Sequence, residues 1–214
     1  MQTLELLAAH RCTAILRTSR AEAVRPAMDA AVEGGFRLVE VTLTTPGALE
    51  AISHYSRQKG LVAGAGTVLD VTAAQRALDA GARFLVSPVT DPSLIAWCAE
   101  RDVLILPGAF TPTEMWQASN AGARVIKVFP APPGGPDYLR ACLGPLPHLK
   151  LFPTAGVTEA NARDFFAAGA FGVGFVGNLF VADDLAQGRY GAVRERASRM
   201  VDAVAAAAPK PLQC

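Results

Sequence analysis

The sequence has few of the residues from which metal sites and disulfide frameworks are built. Its four cysteines, Cys12, Cys98, Cys142 and Cys214, stand far apart without a CxxC pair, so neither a zinc site nor a disulfide scaffold is signalled. Cys214 is the final residue, and "PLQC" is no prenylation box. The three histidines, His10, His54 and His148, have no ligand partner at useful spacing, and no metal is expected. Charge of one sign is also missing. A formal net charge of +1 leaves no electrostatic footprint for nucleic acid or an anionic membrane. No apolar run approaches membrane-spanning length, and "MQTLELLAAH" has no basic region before its short apolar stretch. A soluble, unexported, cytoplasmic protein is the expectation. The balance of 51% hydrophobic and 18% charged residues is that of a globular chain and excludes disorder.

What is present is alternation. Short β-rich runs occur at 12–16, 38–43, 61–66, 83–87, 103–106, 124–129, 150–153 and 171–176, which makes eight candidate strands. Alanine-rich amphipathic stretches lie between them, among them 20–35, 72–82, 111–123 and 158–170. Four of these run through a shared ending, "EGGFRLVEV", "DAGARFLVS", "NAGARVIKV" and "AAGAFGVGF": a helix, a Gly stop, then a buried strand. Repeated βα units imply a parallel sheet, and eight of them in 214 residues fit a single-domain (β/α)8 TIM barrel over 1–214. A doubly wound open sheet is the second reading. No linker or composition shift divides the chain, and the tail from 201 is expected to end the last helix and then fray.

Barrels of this kind collect their chemistry at the C-terminal ends of the strands. The polar residues found there are Arg17, Glu40 with Thr42 and Thr44, Thr67, Ser87, Lys127, Thr154 and Asn178. Lys127 in "VIKVF" and Glu40 in "LVEVTL" each interrupt an apolar run, where a charge is costly unless paired or functional. A desolvated lysine becomes a neutral amine able to attack a ketone, and a nearby carboxylate can shuttle protons. The pair thus suggests an amine-catalysed carbonyl enzyme such as a lyase. A structural ion pair, or two outward residues of alternating strands, explains the same pattern and stays open, although an outward lysine would press into the helix layer.

The turns "PTAGV" (153–157) and "FVGN" (175–178) follow the last two strands, where barrels often bind phosphate through backbone N–H groups. Any tight βα turn is equally rich in small residues. "GAGTV" (64–68) lacks the third glycine and the following acid of a dinucleotide loop. Trp97 and Trp116 are most simply packing residues.

Six motifs in order, "VEVTLTTPGALEAI", "GAGTVL", "FLVSP", "LPGAFTPTE", "VIKVFPA" and "LFPTAGV", resemble those of the 2-keto-3-deoxy-6-phosphogluconate (KDPG) aldolase family, which includes 4-hydroxy-2-oxoglutarate (KHG) aldolases. The resemblance is collinear from about Ala14 to about Phe180. It implies a metal-independent class I aldolase without cofactor, on a (β/α)8 barrel, as a homotrimer acting on a small keto acid. By motif, Lys127 is the Schiff-base lysine and Glu40 the general acid/base. Thr67 would bind the pyruvate carboxylate, Pro88 would belong to the substrate site, Phe129 and Pro130 would wall it, and Thr154 would lie near the substrate hydroxyls. Ala155, Gly156, Gly177 and Asn178 fall in the phosphate loops.

Two departures stand out. Thr44 occupies a position where the family usually has a carboxylate-binding arginine, and Arg17 is expected to replace that cation with the planar geometry a carboxylate prefers. Ala155 stands for the first glycine of the usual "PTGG", and Val176, Gly177 and Asn178 stand for a Gly-Gly-Ser. A phosphate could still reach the alanine N–H, but the methyl restricts approach and positive φ. Substrates therefore range over KDPG with KHG, the phosphogalactonate epimer, or unphosphorylated keto acids. A non-catalytic binding barrel is the third reading, against which the retention of Lys127 and Glu40 argues.

Overall fold

The computed structural model describes residues 3–130 and 134–207. The fold is α/β with parallel strands. Helix α1 (Thr3–His10) precedes β1 (Cys12–Leu16), α2 (Val24–Glu33), β2 (Leu38–Thr42), α3 (Ala48–Ser56), β3 (Val62–Gly66), α4 (Val71–Asp79), β4 (Phe84–Val86), α5 (Pro92–Ala99), β5 (Leu104–Leu106) and β6 (Gly108–Ala109). Then come α6 (Pro112–Asn120), β7 (Ile126–Val128), α7 (Gly135–Leu143), β8 (Leu151–Pro153), α8 (Ala162–Ala167), β9 (Val173–Phe175), α9 (Ala182–Ala186) and α10 (Tyr190–Ala207). Residues 1–2, 131–133 and 208–214 lie outside the described residues, and the fraying expected of the tail falls there.

The strands form two parallel sheets, one in the order β5-β4-β3-β2-β1-β9 and one in the order β6-β7-β8. In the first sheet β1 to β5 lie side by side in chain order, and β9 stands on the other side of β1. Eight strands were expected and nine occur among the described residues, because Gly108–Ala109 forms a further short strand past the expected fifth (103–106), with Pro107 between them. Leu104–Leu106 pairs with β4 and Gly108–Ala109 with β7. Proline has no N–H to give a ladder, so the partner changes there, while its carbonyl accepts from the Lys127 N–H at 2.9 Å. A parallel bridge between Thr154 and Gly174 links the end of β8 to β9.

The repeated glycine stops work as their pattern predicts. Gly35, Gly81, Gly122 and Gly169 take φ between 98° and 110°. The following residue in each case, Phe36, Ala82, Ala123 or Ala170, bonds back to a carbonyl five residues earlier, closing the helix and launching the strand. Helix starts are capped by Asp70 on the Ala73 N–H, by Asp91 on Ser93 and Leu94, and by a reciprocal Thr111–Glu114 box.

Every strand is buried on both faces, as parallel strands covered by helices must be. One face joins Leu38, Val62, Phe84, Leu104, Val125 and Phe152 in a cluster that Leu7 of α1 completes, so α1 covers the end where the strands begin. The other face packs on the helices in the larger core. Trp97 packs half-buried against that core, but Trp116 is 52% exposed and is no packing residue. Its helix is seated by Met115 and Ala118 instead.

Candidate active site

Strand alternation decides where the two buried charges point. Glu40 lies between Leu38 and Thr42 on one face of β2, and Lys127 shares a face with Val125; Leu38 and Val125 both belong to the enclosed cluster. Glu40 and Lys127 are therefore on the inner surface, farther along their strands than that cluster and away from the end α1 closes. They are 2% and 5% exposed. Gly66 makes room for the carboxylate: a methyl group there would overlap Glu40 Oε1. At Gly108, the register partner of Lys127, a methyl group would overlap the Pro88 backbone.

Burial sets the ionisation of both groups, and each feels the other. Burial pushes the Glu40 carboxyl up to about 6, against the opposing pull of Lys127 and Arg17. Burial holds the Lys127 amine below the ordinary lysine value, Glu40 works against this and Arg17 adds to it. Lys127 Nζ lies 4.5 Å from the centroid of the Phe129 ring. The arrangement sets an amine of lowered proton affinity in the field of a carboxyl whose own proton affinity is raised.

Arg17 extends from the end of β1 and is exposed, yet near enough to act electrostatically on both groups. Thr67 follows β3 with φ 59°, a left-handed conformation that strains a β-branched residue. The Phe129–Pro130 peptide is cis. Pro88 is half-buried beside Ser87, whose Oγ accepts from the Val89 N–H at 3.3 Å.

On the far side of Lys127, Thr154 is 2% exposed and its Oγ1 has no hydrogen-bond partner; among the described residues, only Thr13 Oγ1 shares that condition. Thr13 and Thr154 both pair with Gly174 across the ladder, so two unpartnered hydroxyls flank one glycine. Beyond Thr154, Ala155 takes φ 58°, the positive value its methyl group disfavours, and Gly156 follows at 111°. Asn178 donates its side-chain amide to the Val157 carbonyl, tying the loop after β9 to the loop after β8. Gly177 is exposed, with open space where a side chain would stand.

Two residues that sequence reasoning passed over tie strand-end loops, one after β8 and one after β2. Asn161 donates to the Gly156 carbonyl at 2.9 Å and accepts from the Thr158 N–H at 2.7 Å; the spacing "TEAN" carried the signal of such a side-chain turn. Thr45, next to the exposed Thr44, is 3% exposed and shares a hydrogen bond of 3.0 Å with Thr42. Among the described residues, no group of three potential metal-ligating acids, cysteines or histidines gathers, and no helix is long and apolar enough to cross a membrane.

A family model described as KDPG and KHG aldolase matches residues 4–195. The chain is 37% identical over 166 residues to a probable 2-dehydro-3-deoxy-6-phosphogalactonate aldolase of Rhizobium meliloti, covering 75% of this chain and 78% of that one. It is 36% identical over 159 residues to a 2-dehydro-3-deoxy-phosphogluconate aldolase of Pseudomonas aeruginosa, covering 73% and 72%. Among solved structures, a KDPG aldolase from Legionella pneumophila, with pyruvate captured as a covalent carbinolamine intermediate, superposes with a TM-score of 0.83 at 25% identity, over 94% of this chain and 98% of the other.

Proposed function

This chain belongs to the KDPG and KHG aldolase family and is a lyase, and from that premise we propose that it cleaves KDPG to pyruvate and glyceraldehyde 3-phosphate through a Schiff base on Lys127. KHG cleavage to pyruvate and glyoxylate would follow the same path. The observation that carries this is the coupling of a buried amine with lowered proton affinity to a buried carboxyl with a pKa of about 6.

In this reading neutral Lys127 Nζ attacks the C2 ketone, and loss of water leaves an iminium. Glu40, as carboxylate, takes the C4 hydroxyl proton; the C3–C4 bond breaks and its electron pair moves into the iminium to give an enamine. The aldehyde leaves with the C4 oxygen as its carbonyl. Protonation at C3 makes the pyruvate imine, and water releases pyruvate and the amine. The iminium stabilises the developing carbanion. Arg17 and Thr67 hold the substrate carboxylate, Phe129, Pro130 and Pro88 wall the reacting carbons, Thr154 meets the hydroxyls, and the loops at Ala155–Gly156 and Gly177–Asn178 take the phosphate end.

The phosphogalactonate epimer is the second reading, favoured by the Rhizobium relative and by the strained Ala155. The reading further takes 1–214 as one domain, with the two sheets and the Thr154–Gly174 bridge as one closed (β/α)8 barrel, working as a cytoplasmic homotrimer without cofactor. Incubation with pyruvate, borohydride reduction and mass spectrometry test the chemistry: an adduct on Lys127 is expected, and its absence sinks the mechanism. Parallel assays on KDPG, its galactonate epimer and KHG decide the substrate.

A further inference from the structure

We propose that Thr45 is a positioning residue that sets the direction of Arg17, and through it the seat of the substrate carboxylate. This rests on the reading above that Arg17 receives the carboxylate. Arg17 has no place in a strand; it stands where β1 has ended, and an exposed arginine there has many rotamers, so what holds the backbone on either side of it matters. The ties come from across the sheet. Thr45 Oγ1 accepts from the Thr18 N–H at 3.4 Å and donates to the Leu16 carbonyl at 3.5 Å. The peptide units before and after Arg17 are thus held by one hydroxyl.

That hydroxyl is fixed from its other side. Thr42 Oγ1 lies 3.0 Å from Thr45 Oγ1 and 3.1 Å from Thr44 Oγ1, and the Thr45 N–H bonds to the Thr42 carbonyl at 2.8 Å. One proton order satisfies every group: Thr44 donates to Thr42, Thr42 to Thr45, and Thr45 to Leu16 O, leaving the second Thr45 lone pair for Thr18. Thr42 shares its strand face with Glu40, so one hydroxyl chain references the cation to the carboxylate. The two backbone bonds are long, which makes the restraint a preferred direction and its effect modest.

The test is the pyruvate concentration that half-saturates borohydride trapping on Lys127. Thr45→Val, equal in volume but without the hydroxyl, is expected to raise it about three- to tenfold, the scale of one lost hydrogen bond, with trapping still complete at saturation. Thr45→Ser restores it. Arg17→Ala raises it further, and adding Thr45→Val to Arg17→Ala changes nothing more. Should Thr45→Val not fold, Thr45→Cys, a weaker donor of similar size, makes the same comparison. An unchanged half-saturation in Thr45→Val, or an equal rise whether or not Arg17 is present, overturns the proposal. An Arg17→Ala variant with unaltered half-saturation overturns instead the carboxylate reading beneath it.

Discussion

Glu40 Oε1 lies against Gly66, in space that any side chain at position 66 would claim. Because the obstructed atom is the tip of a flexible chain, Gly66→Ala is expected to fold, with the carboxylate pushed aside. Proton transfer by a well-placed group contributes roughly 10²–10⁴ in rate, so kcat for cleavage should fall by about 10–10² while pyruvate still traps on Lys127. Loss of trapping together with cleavage would mean that Gly66 serves the fold and not the carboxylate.

Glu40→Gln separates chemistry from stability. Cleavage is expected to drop by about 10²–10⁴, with the adduct on Lys127 retained. The fold should meanwhile gain. A carboxyl raised from 4.5 to about 6 by burial lends stability that is whole below pH 4.5 and lost as pH rises through 6. At neutral pH the native acid therefore costs about 2 kcal/mol that the amide does not. Denaturant unfolding of both proteins at acidic and neutral pH checks this: the advantage of Glu40→Gln should appear only as pH rises.

The same carboxyl shapes the pH profile of cleavage. In the proposed mechanism Glu40 takes the C4 proton as a carboxylate, so kcat/KM should climb through about pH 6. Arg17 holds the Glu40 proton affinity down, hence Arg17→Ala should move that limb to higher pH. A limb that stays in place would show Arg17 too distant to matter electrostatically.

The amide of Asn178 on the Val157 carbonyl predicts a split between substrates. Asn178→Ala frees the loop after β8, and kcat/KM for a phosphorylated substrate should fall about tenfold, the scale of one hydrogen bond. KHG, which has no phosphate end, should be cleaved as before. Equal losses on both substrates would assign Asn178 to general support.

The two buried charges were readable before the fold because Lys127 and Glu40 break apolar runs, and a charge in such a run needs a reason. The glycine stops were equally plain, since four copies of one ending reinforce each other. Strand β6 was hidden because Gly108 and Ala109 carry neither β-branching nor alternation, and only a partner strand makes them a ladder. Thr45 was hidden for a related reason. Its two backbone partners, Leu16 and Thr18, stand nearly thirty positions away, and no local pattern in "TLTTP" announces a bond across strands. The tie from the Asn178 amide to a carbonyl of the neighbouring loop was hidden in the same way, since Val157 stands some twenty positions earlier.

The pairing of β1 with β9 bears on how the molecule is made. Thr13 meets Gly174, so the first strand finds one of its two neighbours only after roughly 160 more residues have been synthesised, a contact of the slowest kind. On the ribosome, β1 through β5 can associate early, but the free edge of β1 stays unpaired until the message is nearly read. Lys127, too, emerges long after Glu40. A nascent chain released before residue 127 would carry the acid without the amine, and the first strand without the partner that closes its open edge.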